Sequence, residues 1–156
     1  VKKLISMAMF LTALAVLSWS AKAQENPESV VTNLYKADKA KAVSDMSKTE
    51  LQKYFSKTLA DDLWKAMKTE RLDFAILYHT DDDSDIKNFR IGKAIKTDGT
   101  DLYATVPVTF INYGEKRRIE YKLGKGVGGN WRILDVIYHY KGETFTLNEV
   151  LNEGDN

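Results

Sequence analysis

Two histidines, His79 and His139, and the carboxylate of Asp135 are the groups best suited to proton transfer in a chain of 156 residues that contains no cysteine. Imidazole titrates near neutral pH, so either histidine suits a general base, with Asp135 or an acidic loop as the orienting carboxylate. No spacing brings these groups together, and two unlinked histidines among eight tyrosines also read as surface or core-edge side chains. Asp135 stands among Ile133, Leu134, Val136 and Ile137, where a carboxylate must face water or gain a partner. Arg117 on the neighbouring strand is a candidate ion-pair mate, and a structural pair is the plain alternative to chemistry.

Asp81, Asp83 and Asp85 reproduce the alternate carboxylates that open a calcium loop, because hard cations want several oxygens on a flexible turn. Ile86 and Gly92 stand where the tight-turn glycine and the bidentate glutamate belong, so the run reads as a solvated acidic loop and only a weak cation site. The missing cysteines exclude thiol catalysis, disulfides and thiolate-bound metal. Gly124, Gly126, Gly128 and Gly129 lack the lysine and helix of a phosphate loop and read as a hairpin turn. No serine elbow or His-Glu-x-x-His pair is present, and no cofactor is expected.

These groups need elements to carry them. Lys2-Lys3, the apolar run from Leu4 to Trp19 and Ala21-Lys22-Ala23 have the charged, hydrophobic and cleavage regions of a secretory signal peptide. Cleavage after Ala23 is the expectation, giving a soluble periplasmic or secreted bacterial protein without a stable membrane anchor. Residues 24–156 suit one domain. Three of the 23 basic residues lie in the leader, so 20 remain against 22 acidic ones, and nucleic acid is not an expected partner.

Asn26-Pro27-Glu28 announces a helix of about four turns carrying Val30, Val31, Leu34 and Tyr35 on one face. Ser47-Lys48-Thr49-Glu50 is a capping box for a second helix, and a third is expected from about Lys57 to Arg71. The period then falls to 2. Strands are expected around Phe89 and Ile91, from Leu102 to Ile111, from Arg117 to Leu123, and from Trp131 to Tyr140, followed by a capped closing helix at Thr146-Leu147-Asn148-Glu149. Pro107 cannot donate to a ladder, so its strand must bulge or lie at an edge there. The fold class is therefore α+β: three helices packed on a bent four-stranded antiparallel meander, with a short C-terminal helix.

The series Val31-Thr32-Asn33-Leu34-Tyr35-Lys36, Tyr54-Phe55-Ser56-Lys57-Thr58-Leu59, Leu72-Asp73-Phe74, Val106-Pro107-Val108-Thr109-Phe110 and Trp131-Arg132-Ile133-Leu134-Asp135-Val136 resembles the exported bacterial family known as domain of unknown function 3828. That family belongs to the nuclear-transport-factor-2-like superfamily, of cystatin-like fold. The chain departs from the family's pattern after Phe74, where Ala75-Ile76-Leu77-Tyr78-His79 replaces a proline-containing turn and a Gln-Asp pair. In superfamily enzymes of the ketosteroid-isomerase type, carboxylates and tyrosines project into the cavity between helices and sheet. The resemblance thus implies Tyr121, Asp135 and Tyr138 as candidate cavity groups, and His139, ionisable on the last strand, and Arg117, the candidate mate of Asp135, join them as candidate cavity or ligand-binding residues.

The leading expectation is a non-enzymatic binding or accessory protein that holds a small molecule, peptide or protein in the cone cavity or on the exposed sheet face, with a homodimer through the sheet as one possible assembly. The alternatives are a periplasmic inhibitor or immunity-type protein that blocks a cell-wall-acting enzyme, and a proton-transfer enzyme.

Overall fold

A computed structural model of the chain describes residues 25–80, 85–97 and 99–153. Helix α1 runs Pro27–Ala40 and opens as its sequence requires: the Asn26 side chain accepts from Ser29 N–H, and Ser29 returns the bond to the Asn26 backbone. A single 3-10 turn, Val43–Asp45, follows. Helix α2 is short, Lys48–Leu51, although its Ser47/Glu50 capping box is fully made. Helix α3, Lys57–Lys68, is capped by Ser56 and buries Leu59, Ala60, Leu63 and Ala66. Thr69 caps its C-terminus, so the helix stops short of Arg71.

Among the described residues the sheet has six strands, not four: β1 Ile86–Ile91, β2 Ile95–Lys96, β3 Tyr103–Asn112, β4 Glu115–Lys125, β5 Trp131–Tyr140 and β6 Glu143–Thr146. All pairings are antiparallel in the order β1-β3-β4-β5-β6, with β2 also on β3. The unexpected β6 is created by the two-residue turn Lys141-Gly142, where both residues have positive φ and fold the chain straight back onto β5. Tyr113-Gly114 makes the same kind of turn between β3 and β4. Helix α4, Leu147–Glu153, closes the described chain, with Thr146 and Glu149 exchanging capping bonds of 3.2 and 2.7 Å.

Pro107 lies within β3 and pairs with Glu120. Its missing N–H falls where the neighbouring edge is interrupted, between the end of β1 at Ile91 and the start of β2 at Ile95. Gly92 N–H donates to the Pro107 carbonyl at 2.7 Å there, and a Cβ on Gly92 would stand 2.8 Å from the proline ring. The break in the edge, and not a bulge of β3 itself, accommodates the proline.

The inner face of the sheet carries Val106, Val108, Phe110, Ile119, Tyr121, Ile133, Val136 and Tyr138, all buried with Val30, Leu34, Leu51, Phe55, Leu59 and Leu63 of the helical layer. Two register shifts break the alternation, one in β1 between Lys87 and Arg90 and one opposite Lys122/Leu123, where Leu134 of β5 is the extra residue. The second shift makes Val136, Tyr138 and Tyr140 share the inner face with Ile133 and turns Asp135 outward.

Candidate functional site

The candidate residues separate into an interior set and an outer set. Tyr121 and Tyr138 lie in the core, 0% and 1% exposed. Tyr138 Oη donates to the Ile76 carbonyl at 2.9 Å, and Tyr35 Oη donates to the Leu77 carbonyl at 2.7 Å. Since Tyr35 has spent its only proton, the 2.8 Å contact between the Tyr35 and Tyr121 hydroxyls is a donation by Tyr121. Two of the three phenol protons therefore hold down the segment at 74–80, closed on itself by the Ala75–Thr80 bridge, and the third, from Tyr121, holds Tyr35 in place. Burial pushes all three phenols well above their ordinary range, so each is neutral at physiological pH. Among the described residues no carboxylate hydrogen-bonds to them, and their arrangement is that of a satisfied polar core.

Asp135 does not meet Arg117. Antiparallel register sets Asp135 opposite Lys122, while Arg117 lies at the far end of β4, opposite Phe110 of β3. The Asp135 carboxylate accepts from Val136 N–H at 2.9 Å and from Asn148 N–H at 3.1 Å, anchoring the first turn of α4 to β5. It is a helix cap on the outer face.

Both Arg117 and His139 lie at the sheet end that carries the two tight turns, but on opposite faces: Arg117, opposite Phe110, faces inward, and His139, opposite Arg118, faces outward. Arg117, only 14% exposed in its side chain, pairs with Glu115 at 2.8 Å and lays its guanidinium 4.1 Å from the centre of the Tyr140 ring. On the inner side of this end, His79 at φ 46° is packed within 4.9–5.3 Å of the rings of Phe74, Tyr138, Tyr140 and Phe145. Neither His79 nor His139 approaches Asp135 in the manner of a base with its orienting carboxylate: His139 meets Thr144 Oγ1 at 3.1 Å and lies 3.7 Å from Glu120.

On the outer side, Arg118 and His139 line a groove of about 660 Å³. Its floor is a straight cross-strand row, because register aligns Arg90, Thr109, Arg118, His139 and Thr144 on β1, β3, β4, β5 and β6. Lys116 and Lys141 add positive charge at the turn end, against the single carboxylate of Glu143 in the lining. Arg118 is held by Glu120 at 2.6 Å, whereas Arg90 and Lys116 have no carboxylate partner among the described residues. The bulge in β1 turns Asn88, at φ 53°, into the same groove. A concave surface with several guanidinium and ammonium donors and two threonine hydroxyls can bind an anion.

Arg90, Lys116 and Lys141 are missed when the sequence is read by motif. Arg90 joins the others only because β1 is laid on β3, a pairing between segments about 20 residues apart whose register no local signal specifies. Of the acidic run, Asp81 and Asp83 lie outside the described residues, and Asp85 pairs with Lys87 at 2.7 Å. Among the described residues no helix is long and apolar enough to cross a membrane, and no three metal-ligating side chains stand together.

Compared with protein-family models, curated proteins and solved structures, the chain matches none. Its geometry and side-chain chemistry carry the functional reading.

Proposed function

We propose that this chain is an exported, non-enzymatic binding protein of nuclear-transport-factor-2-like type, and that it holds an anionic ligand in the groove on the outer face of its sheet. The observation that carries the reading is the alignment of Arg90, Arg118 and His139 in one row with Lys116 and Lys141 beside it. Strands about 4.8 Å apart put Arg90 roughly 10 Å from Arg118 across the row, so the fitting ligand is elongated and carries more than one carboxylate or phosphate. The exported character rests on the leader-like first 23 residues, and the family assignment on the motif series and the helices-then-sheet order. The hydroxyls that a proton-transfer enzyme of this superfamily would use are neutral and committed, Tyr138 to a backbone carbonyl and Tyr121 to the Tyr35 hydroxyl, which favours binding over chemistry. A second copy of the chain is a poor occupant, since it would bring the same cations face to face.

Titration with citrate at constant ionic strength, followed by heteronuclear NMR, tests the reading. Saturable shifts at Arg90, Thr109, Arg118 and His139 are expected, and Arg90→Ala with Arg118→Ala should weaken binding about tenfold or more. Shifts that sodium chloride reproduces, or that ignore both substitutions, would overturn it.

A further inference from the structure

A second cavity, of about 430 Å³, lies at the opposite side of β1, between that edge strand and α1. One stripe of α1 forms its wall: Thr32, Tyr35, Lys36 and Lys39 recur at i, i+3, i+4 and i+7. Ile86, Phe89 and Ile91 of β1 and Tyr78 of the 74–80 segment face them. The β1 bulge is what supplies Phe89. By inserting a residue between Lys87 and Arg90 it sends Phe89 to the inner side, edge-on to Tyr35 at 4.8 Å and stacked on Phe110 at 6.5 Å.

This packing is incomplete. Phe89 remains 40% exposed at the mouth of an otherwise apolar slot, although it touches two core aromatics. Lys36 and Lys39 rim the same mouth, and neither has a carboxylate partner among the described residues. An apolar slot of small-molecule size with two unpaired cations at its edge is complementary to one ligand chemistry, an apolar tail ending in an anion.

We propose that the slot between α1 and β1 binds a small amphipathic carboxylate, its tail against Phe89, Ile86 and Ile91 and its charged head between Lys36 and Lys39. A cationic head would meet repulsion there, and a head without a tail would gain nothing from the aromatic floor. The site is separate from the outer groove, because the β1 bulge turns Asn88 to one cavity and Phe89 to the other.

The test uses decanoate below its critical micelle concentration, with decyltrimethylammonium and acetate as controls, read by NMR on the full chain. Decanoate is expected to give saturable shifts confined to residues 32–39, 78 and 86–91, and the controls none there. Lys36→Gln combined with Lys39→Gln should weaken decanoate binding about fivefold, the scale of two partly exposed ion pairs. Phe89→Ala should weaken it by a similar factor, and Phe89→Leu, which keeps the strand packed, should weaken it less. Arg118→Ala should leave decanoate binding intact, which separates this site from the outer groove. Equal binding of decanoate and decyltrimethylammonium, shifts located elsewhere, or indifference to the lysine substitutions would overturn the proposal.

Discussion

The two faces of one sheet have opposite polar economies. On the inner face, Tyr35, Tyr121 and Tyr138 bury their hydroxyls and spend every proton on one another or on the carbonyls of Ile76 and Leu77. On the outer face, a few ångströms through the same backbone, Arg90 and Lys116 stand in a groove without a carboxylate partner among the described residues. A buried polar group without a partner costs about 1–3 kcal/mol, so the buried tyrosine hydroxyls must be satisfied internally. An exposed cation is solvated by water and carries no such penalty, so the outer face can keep charge in reserve for a ligand. The inner tyrosine hydroxyls therefore speak to stability, and the unpaired cations of the outer groove to binding.

Trp131→Ala should do the greatest damage. The indole opens β5 and is 7% exposed, and its removal should cost about 3–5 kcal/mol, read as a fall in the urea midpoint. A midpoint that scarcely moved would contradict the inner face as a packed core. Tyr138→Phe removes only an oxygen, yet it deprives the buried Ile76 carbonyl of its donor, and about 1–3 kcal/mol is expected by the same measurement. Retained stability would mean that the hydroxyl is free for chemistry, and the comparison between faces would fail.

Asp135→Ala should cost about 1 kcal/mol, with faster amide exchange concentrated in α4, because the carboxylate caps Asn148 N–H. Asp135→Asn keeps an acceptor oxygen and should cost less. Arg118→Ala on the outer face should stay within about 0.5 kcal/mol of the parent by thermal denaturation, since its pair with Glu120 is half exposed.

The smallest expected effect lies away from the sheet. Glu50 is held by Lys41 and by the Ser47 cap, which lower its pKa from the ordinary 4.5 to about 2. A carboxylate depressed in the folded state stabilises above its unfolded pKa, and that contribution disappears as pH falls from 4.5 through about 2. NMR titration of the Glu50 side chain should find the low midpoint, and Glu50→Gln should flatten the acid dependence of stability across that window. A midpoint near 4.5 would mean that the capping box is frayed in solution.

Much of the fold is legible because its signals are local. Capping boxes at Ser47 and Thr146 and the cap at Asn26 span three residues, and a side chain three residues away either completes such a bond or does not. Strands β3, β4 and β5 follow from alternation, which a half-buried face imposes residue by residue. The Lys141-Gly142 turn that creates β6 was weaker as a signal, since lysine is an uncommon occupant of positive φ.

What the chain could not declare alone is which way its chemical groups face. Strict alternation from Ile133 would send Asp135 inward and Tyr138 outward, and the extra residue at Leu134 reverses both. The bulge in β1 likewise divides Asn88 and Phe89 between two cavities, and β1 brings Arg90 to Arg118 only through pairing with β3. Caps and periodicity are settled within one or two turns of chain by hydrogen bonds and burial. Parity and register are settled by the packing of distant strands, so the elements were determined by the sequence itself and the two candidate binding sites by the tertiary structure.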